Sequence, residues 1–503
     1  MIEMKHVVKK DTGFRFAFKR HGDGLQWKET TGSKVMTSGT SGGLRTQIIQ
    51  LITQAKQHVC VCSFLLADAI LEEALIAATE RGVRVYLLTS AEMKLKTSEG
   101  EDWERDDEIR ELHKKMLERL SGKVYLRSSG HFHAKYIVAD GVDGIMTTCN
   151  FTTKALIENP ELGVRLNSTE SKQVWKLFQY QFWEGSEKEM LRKGTLDGVQ
   201  PQGRFLDHEP KHPVRCSFSS GQPSLLLKEC LDMIQNAKKS ITVTSYGWGN
   251  KDITKAISER VTSGVNVAII GRNHRGGGQT SHLQQFSEMG CEVYGLPLIH
   301  AKSVLVDAGT PNARAMVMSA NIDAMSMGAS HELGICLEGK DVEQLSNILN
   351  NWLSVALTMV PKEMLSSVEG DLSVFNEKDG WSNLVVENET ISTYDAVKAP
   401  SAELASKAKP TLTEKPNIHS RVHEHRWTVE VPRLEKGAKE EGWLKEPTYD
   451  EDGNLDFEGE LHQFPVFVLK NNTRVIAIES LDDAEAAAKY KGKAKAKIVI
   501  MHK

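Results

Sequence analysis

A chain of 503 residues is too long for one hydrophobic core and points to two to four domains. With 40% hydrophobic and 26% charged residues its composition is that of an ordinary soluble globular protein, and a net charge of −4 excludes a uniformly basic nucleic-acid-coating protein while leaving room for a local basic cleft. The seven cysteines, odd in number and without a C-x2-C pair, sit mostly in apolar runs, and no 18-residue apolar stretch occurs, so a reduced, cytoplasmic setting is expected.

Phe14, Phe16 and Phe18 alternate with polar residues, Gly22-Asp23-Gly24 supplies a turn, and Leu25 and Trp27 alternate again, which predicts a β-hairpin within an N-terminal segment, residues 1–37. From Leu44 the apolar spacing becomes helical, and a strand over 58–66 follows. A second helix over 70–81 closes at Gly82 and leads to the strand VRVYLLTS, a β-α-β order that predicts parallel pairing. The charged stretch 91–111 reads as exposed, a helix over 109–120 follows, and the strand KVYLRSS leads into HFHAKYIVAD.

The second half repeats this order. Helices are predicted over 225–237, 253–262 and 282–289, and strands at SITVTSYGW, VNVAIIGR and CEVYGL, before LIHAKSVLVD. Ala55 and Ala237, like Gly82 and Gly264, are 182 residues apart, whereas His133 and His300 are 167 apart, so the halves 38–200 and 201–365 form a tandem duplication with unequal loops. Each half ends in an amphipathic helix with tryptophan, over 174–183 and 342–357, where core packing is the expected role of the rings. Residues 366–417 are assigned to a linker, on the Ala, Lys, Ser and Pro content of 396–417. Residues 418–503 read as a small α+β unit with strands near 427–431, 464–469, 473–479 and at KIVIM, and a helix near 481–489.

The chemistry concentrates in the repeated phrase H-x-K-x4-D, which gives His133, Lys135 and Asp140, then His300, Lys302 and Asp307. In an extended chain positions i and i+2 share a face, so each histidine points with its lysine, while each aspartate points the other way and suits an orienting role. An imidazole can attack phosphorus, and an adjacent ammonium stabilises the transition-state oxygens. Asn150 and Asn321 can add amide donors, and Glu161 and Glu332, each in an E-L-G triplet, are candidates to fix an imidazole tautomer. One copy supplies a nucleophile without an acid for the leaving group; two facing copies supply both. Arg272 and Arg275, in RNHRGGG after a strand, suit a phosphate backbone. No metal-binding spacing is present: Leu455 and Leu461 spoil a calcium-like acidic run, and His419, His423 and His425 lack partners at ligand spacing.

These two complete phrases, with Asn150, Asn321, Glu161 and Glu332 downstream, resemble the phospholipase D superfamily over roughly residues 38–360. The resemblance implies two α/β halves about a pseudo-two-fold axis with one shared active site. It implies a covalent phosphohistidine on His133, with His300 as acid and then base, and with Lys135, Lys302, Asn150 and Asn321 on the phosphoryl oxygens. It requires no cofactor and no metal. Where that family often has Gly-Ser before the Asn, this chain has Thr148-Cys149 and Ser319-Ala320, so Thr148 and Ser319 retain a hydroxyl expected to bind substrate.

The expected function is metal-independent phosphodiester cleavage of nucleic acid, DNA before RNA, in one chain that needs no oligomer. The C-terminal unit is expected to position nucleic acid or bind a partner protein, within a defence or repair system. A phospholipase or phosphatidyltransferase is the alternative, and would need an apolar, membrane-facing rim. A non-cleaving nucleic-acid-binding subunit is a third reading, opposed by the intact histidines and lysines of both halves.

Overall fold

The structure is a computed structural model. It describes residues 7–394 except 9–15, 20–26, 31, 33, 40–42, 91–106, 194, 206–207, 218–223, 273–277, 362–371, 377–379 and 388–389, and beyond 394 it describes the backbone of strands only. The chain divides into two compact units, Val7–Tyr394 and Met1–His6 with Asp395–Lys503.

In the larger unit, the helical stripe of the first half forms Gly43–Gln54, which buries Leu44, Ile48, Leu51 and Ile52. Helix Ala69–Glu80 begins at Asp68, whose carboxylate accepts the Leu71 amide at 2.8 Å, and it ends before Gly82, whose φ of +84° a side chain would strain. Helix Ser168–Trp183 starts with a capping box made by Asn167 and Glu170. Strands His58–Cys62, Arg84–Ser90 and Tyr125–Ser129 pair in parallel, as the β-α-β order predicts. Beside them Tyr136–Ala139, Asp143–Thr147, Leu162–Leu166 and Val35–Thr37 pair antiparallel, so the sheet is mixed. The short turn at 140–142 permits only antiparallel neighbours.

The second half repeats the arrangement. Ser240–Thr244, Asn266–Gly271 and Glu292–Gly295 are parallel, and Ser303–Val306, Arg314–Met318, Leu333–Leu337 and Val214–Cys216 continue antiparallel. One hydrophobic core crosses the boundary, with Phe132, Tyr136, Leu162 and Phe178 from the first half and Ile299, Leu333, Ile335 and Trp352 from the second. Each large side chain so buried contributes about 1.5–3 kcal/mol, so neither half presents its inner face to water. All seven cysteines are buried and reduced.

Two expectations fail. Phe16–Lys19 is a strand, but its partners are Leu357–Pro361 and Leu372–Asn376, and residues 27–30 are irregular. The first part of the expected linker contains three strands, Leu372–Asn376, Gly380–Glu387 and Thr390–Tyr394, that extend the second-half sheet, while 396–417 lies outside the described residues. In the smaller unit, Lys439–Lys445, Gln463–Val468, Arg474–Ile478 and Ala496–Ile500 form a four-stranded sheet, and His419–His423 pairs with Arg426–Glu430. The helix expected near 481–489 lies outside the described residues.

Candidate active site

The repeated phrases meet at the boundary between the halves. His133 and Lys135 lie just before strand Tyr136–Ala139, and His300 and Lys302 just before Ser303–Val306. The His133 amide donates to the His331 carbonyl at 3.1 Å and the His300 amide to the Pro160 carbonyl at 3.1 Å. Each histidine is thereby tied to the residue that precedes the other half's glutamate.

The glutamates are exchanged between halves. His133 Nδ1 lies 2.5 Å from Glu332 Oε1, and His300 Nδ1 lies 2.5 Å from Glu161 Oε1. A carboxylate can only accept, so Nδ1 carries a proton in both rings and Nε2 is the atom that can attack or exchange a proton. The other oxygen of each glutamate is held within its own half: Thr148 Oγ1 donates to Glu161 Oε2 at 2.5 Å, and Ser319 Oγ donates to Glu332 Oε2. Ser38 and Ser217 accept the main-chain amides of Glu161 and Glu332, each at 3.0 Å. Burial works to raise the Glu332 carboxyl, but the charges of His133 and Lys135 and the bonds from His133 and Ser319 outweigh it and hold the pKa below the usual value.

Lys135 Nζ is 3.1 Å from both ring nitrogens of His133, and Lys302 Nζ is 3.0 and 2.9 Å from those of His300. A point in the ring plane equally far from both nitrogens would fall on ring carbon, so each ammonium lies over the ring face. It is thus placed to meet the oxygens of a phosphoryl group on Nε2 rather than to occupy the lone pair. Asn150 and Asn321 are buried on the turns after Thr147 and Met318, whose amides bond to the Lys135 and Lys302 carbonyls at 2.8 and 3.1 Å. Gly247 makes room for Asn321, since a Cβ there would lie 3.1 Å from the asparagine side chain.

Other expected residues sit elsewhere. Asp140 accepts the amides of Lys56, Gln57 and His58, and Asp307 those of Lys238, Lys239 and Ser240. Both are at the far end of the strand from the histidine, with φ of 52° and 51°, so they fix the helix-to-strand turn and touch no reacting atom. Thr148 and Ser319 spend their hydroxyls on the glutamates and act as positioning residues instead of substrate ligands. Arg272 lies over the ring of Tyr246, 5.6 Å from its centre, and Arg275 falls outside the described residues.

Several site residues had no motif to reveal them. Phe64 packs edge-on to His133 with ring centres 5.0 Å apart, and Tyr246 does the same to His300 at 5.2 Å. They are 182 residues apart, the offset of the duplication, and that spacing was the available signal. Asp323 caps helix Ala324–Gly328 and is near enough to His133 for their charges to interact; burial raises its carboxyl pKa. The side-chain exposures of the two histidines differ, 14% for His133 and 1% for His300.

Two tandem α/β halves with one composite histidine, lysine and glutamate site define a phospholipase D-like protein. The chain belongs to that superfamily, whose members are phosphodiesterases and transferases: the family model described as "Cardiolipin synthase, PLD-like domain" matches residues 48–183 and 230–353, just over half of the chain and all eight central residues. No curated protein sequence matches it. Among solved structures, it is similar to phosphatidylserine synthase of Haemophilus influenzae Rd KW20, at 12% identity over 71% of this chain and 91% of that one, with a TM-score of 0.48. It is similar also to polyphosphate kinase of Porphyromonas gingivalis, at 12% identity over 66% and 48%, TM-score 0.44. The phospholipase D family member Nuc of Salmonella typhimurium aligns at 22% identity over 29% and 95%, TM-score 0.25.

Proposed function

We propose that the chain is a nuclease that cleaves nucleic-acid phosphodiester bonds, DNA before RNA, through a phosphohistidine intermediate. The observation that carries the chemistry is the exchanged pairing, His133 with Glu332 and His300 with Glu161, because it engages both Nδ1 atoms and sets the two Nε2 atoms at one boundary, each beside an ammonium. His133 Nε2 attacks phosphorus, and the leaving oxygen takes the Nε2 proton of His300, which enters this step as the imidazolium, protonated on both nitrogens. His300 then removes a proton from water, whose oxygen displaces His133 and restores the enzyme. The greater exposure of His133 supports its place as nucleophile. Arg272 stacked on Tyr246 at the end of strand Asn266–Gly271 supports a polyanionic, ring-bearing substrate.

A second reading, phospholipid cleavage or phosphatidyl transfer, is favoured by the description of the matching family model. The two separate when the protein is incubated in excess EDTA with single- and double-stranded DNA, RNA and labelled phosphatidylcholine. Nucleic-acid cleavage that persists in EDTA is the expected result. Lipid turnover with intact nucleic acid would overturn the nuclease reading.

A further inference from the structure

The halves repeat closely enough that departures from the repeat at the site stand out. Phe64 and Tyr246 are equivalent by the 182-residue offset, and so are Ser90 and Arg272, each at the end of its half's second parallel strand. Ser90 is buried and neutral; Arg272 is half-buried and charged, and its guanidinium lies over Tyr246, the ring packed on His300. The Arg272 Nε is buried and meets no hydrogen-bond partner among the described residues. The opposite departure occurs beside His133. Thr152 caps helix Thr153–Ile157 in the first half, whereas its counterpart Asp323 places a carboxylate whose charge reaches His133. A site built from two equivalent halves therefore has, on its His300 side, a guanidinium that the His133 side lacks.

That polarity selects how a chain of phosphates lies. A guanidinium resting on an aromatic face keeps its plane fixed while its N–H fork stays available for phosphate oxygens. We propose that Arg272, backed by Tyr246, is a specificity-determining residue that holds the phosphate next to the scissile one on the leaving-group side, so that a polynucleotide strand binds in one direction. This rests on the nuclease reading.

The test compares two substrates, a short oligothymidylate and thymidine 5′-(p-nitrophenyl phosphate), whose leaving group carries no phosphate. Arg272→Gln is expected to raise KM for the oligonucleotide by about tenfold more than for the small diester, with the larger part of the effect in KM rather than kcat. The slope of log(kcat/KM) against log salt for the oligonucleotide is expected to fall in magnitude by about one. Arg272→Lys, which keeps the charge and loses the planar fork, is expected to fall between the two. Turnover of the small diester reports that each variant is folded. Equal penalties on the two substrates, or none on the oligonucleotide, would overturn the inference and leave the nuclease reading standing. A wild-type protein that turns over the small diester and never cuts the oligonucleotide would remove both.

Discussion

The placement of each histidine's Nε2 is a consequence of how firmly its Nδ1 is held. Glu332 reaches His133 with one oxygen only because Ser319 takes the second and Ser217 holds the main chain, and Thr148 and Ser38 do the same for Glu161. Removing the hydroxyl in Ser319→Ala or Thr148→Val is expected to lower kcat by about tenfold, the equivalent of one lost hydrogen bond, as steady-state kinetics would register. The sign with pH follows from Glu332. Its depressed pKa keeps it ionised, and His133 oriented, until pH falls through that low value; without Ser319 the value rises, so the acid limb of kcat/KM is expected to move to higher pH in Ser319→Ala. An acid limb that stays in place would count against this role. The histidines, lysines and asparagines were legible because the sequence repeats them. The exchange of glutamates was not, because Glu161 is closer along the chain to His133 than to His300, and only tertiary packing brings it to the latter. Ser38 and Ser217 were hidden for another reason: serines in turn-rich stretches are common and carry no spacing signal.

At the scale of elements, helical periodicity and glycine stops located the helices because those signals are local. Strand partners are not local. Alternation of Phe14, Phe16 and Phe18 marks a half-buried strand but says nothing of its neighbour, and the neighbours prove to be Leu357–Pro361 and Leu372–Asn376. The aspartates of the repeated phrase show what an element needs to hold its register. Asp307→Ala leaves three amides of the 238–240 turn without their acceptor and is expected to lower stability by about 1–3 kcal/mol, readable as a fall in the urea midpoint. Its effect on kcat is expected to be smaller than that of losing Glu332. Helix Asp107–Leu120 is fastened by His113, buried, which accepts the Leu66 amide at 3.0 Å; burial lowers its pKa to about 4, and burial likewise lowers that of His331 to about 3. Both are neutral when folded and bind protons more readily when unfolded. The stability they confer is complete above about pH 6.5 and is lost as pH falls from there toward about 4 for His113 and about 3 for His331, by up to about 1.4 kcal/mol per pH unit for each. His113→Asn is expected to flatten the decline in urea midpoint between pH 6.5 and 4.5, and an unchanged slope would contradict it.

At the scale of the molecule, duplication has produced one site rather than two. The shared core fixes the halves against each other, and each half lends the other the carboxylate that orients its histidine. In the proposed mechanism the two glutamates serve different steps: Glu332 the attack by His133, Glu161 the proton transfers of His300. Rapid mixing of Glu161→Gln and Glu332→Gln with a chromogenic phosphodiester, followed by quenching in base, where phosphohistidine survives, and peptide mapping tests this division directly. Glu161→Gln is expected to accumulate an adduct on His133, and Glu332→Gln to lose the burst, by a factor on the order of 10²–10⁴ in rate. An adduct on His300, or one that accumulates in Glu332→Gln and not in Glu161→Gln, would contradict the account.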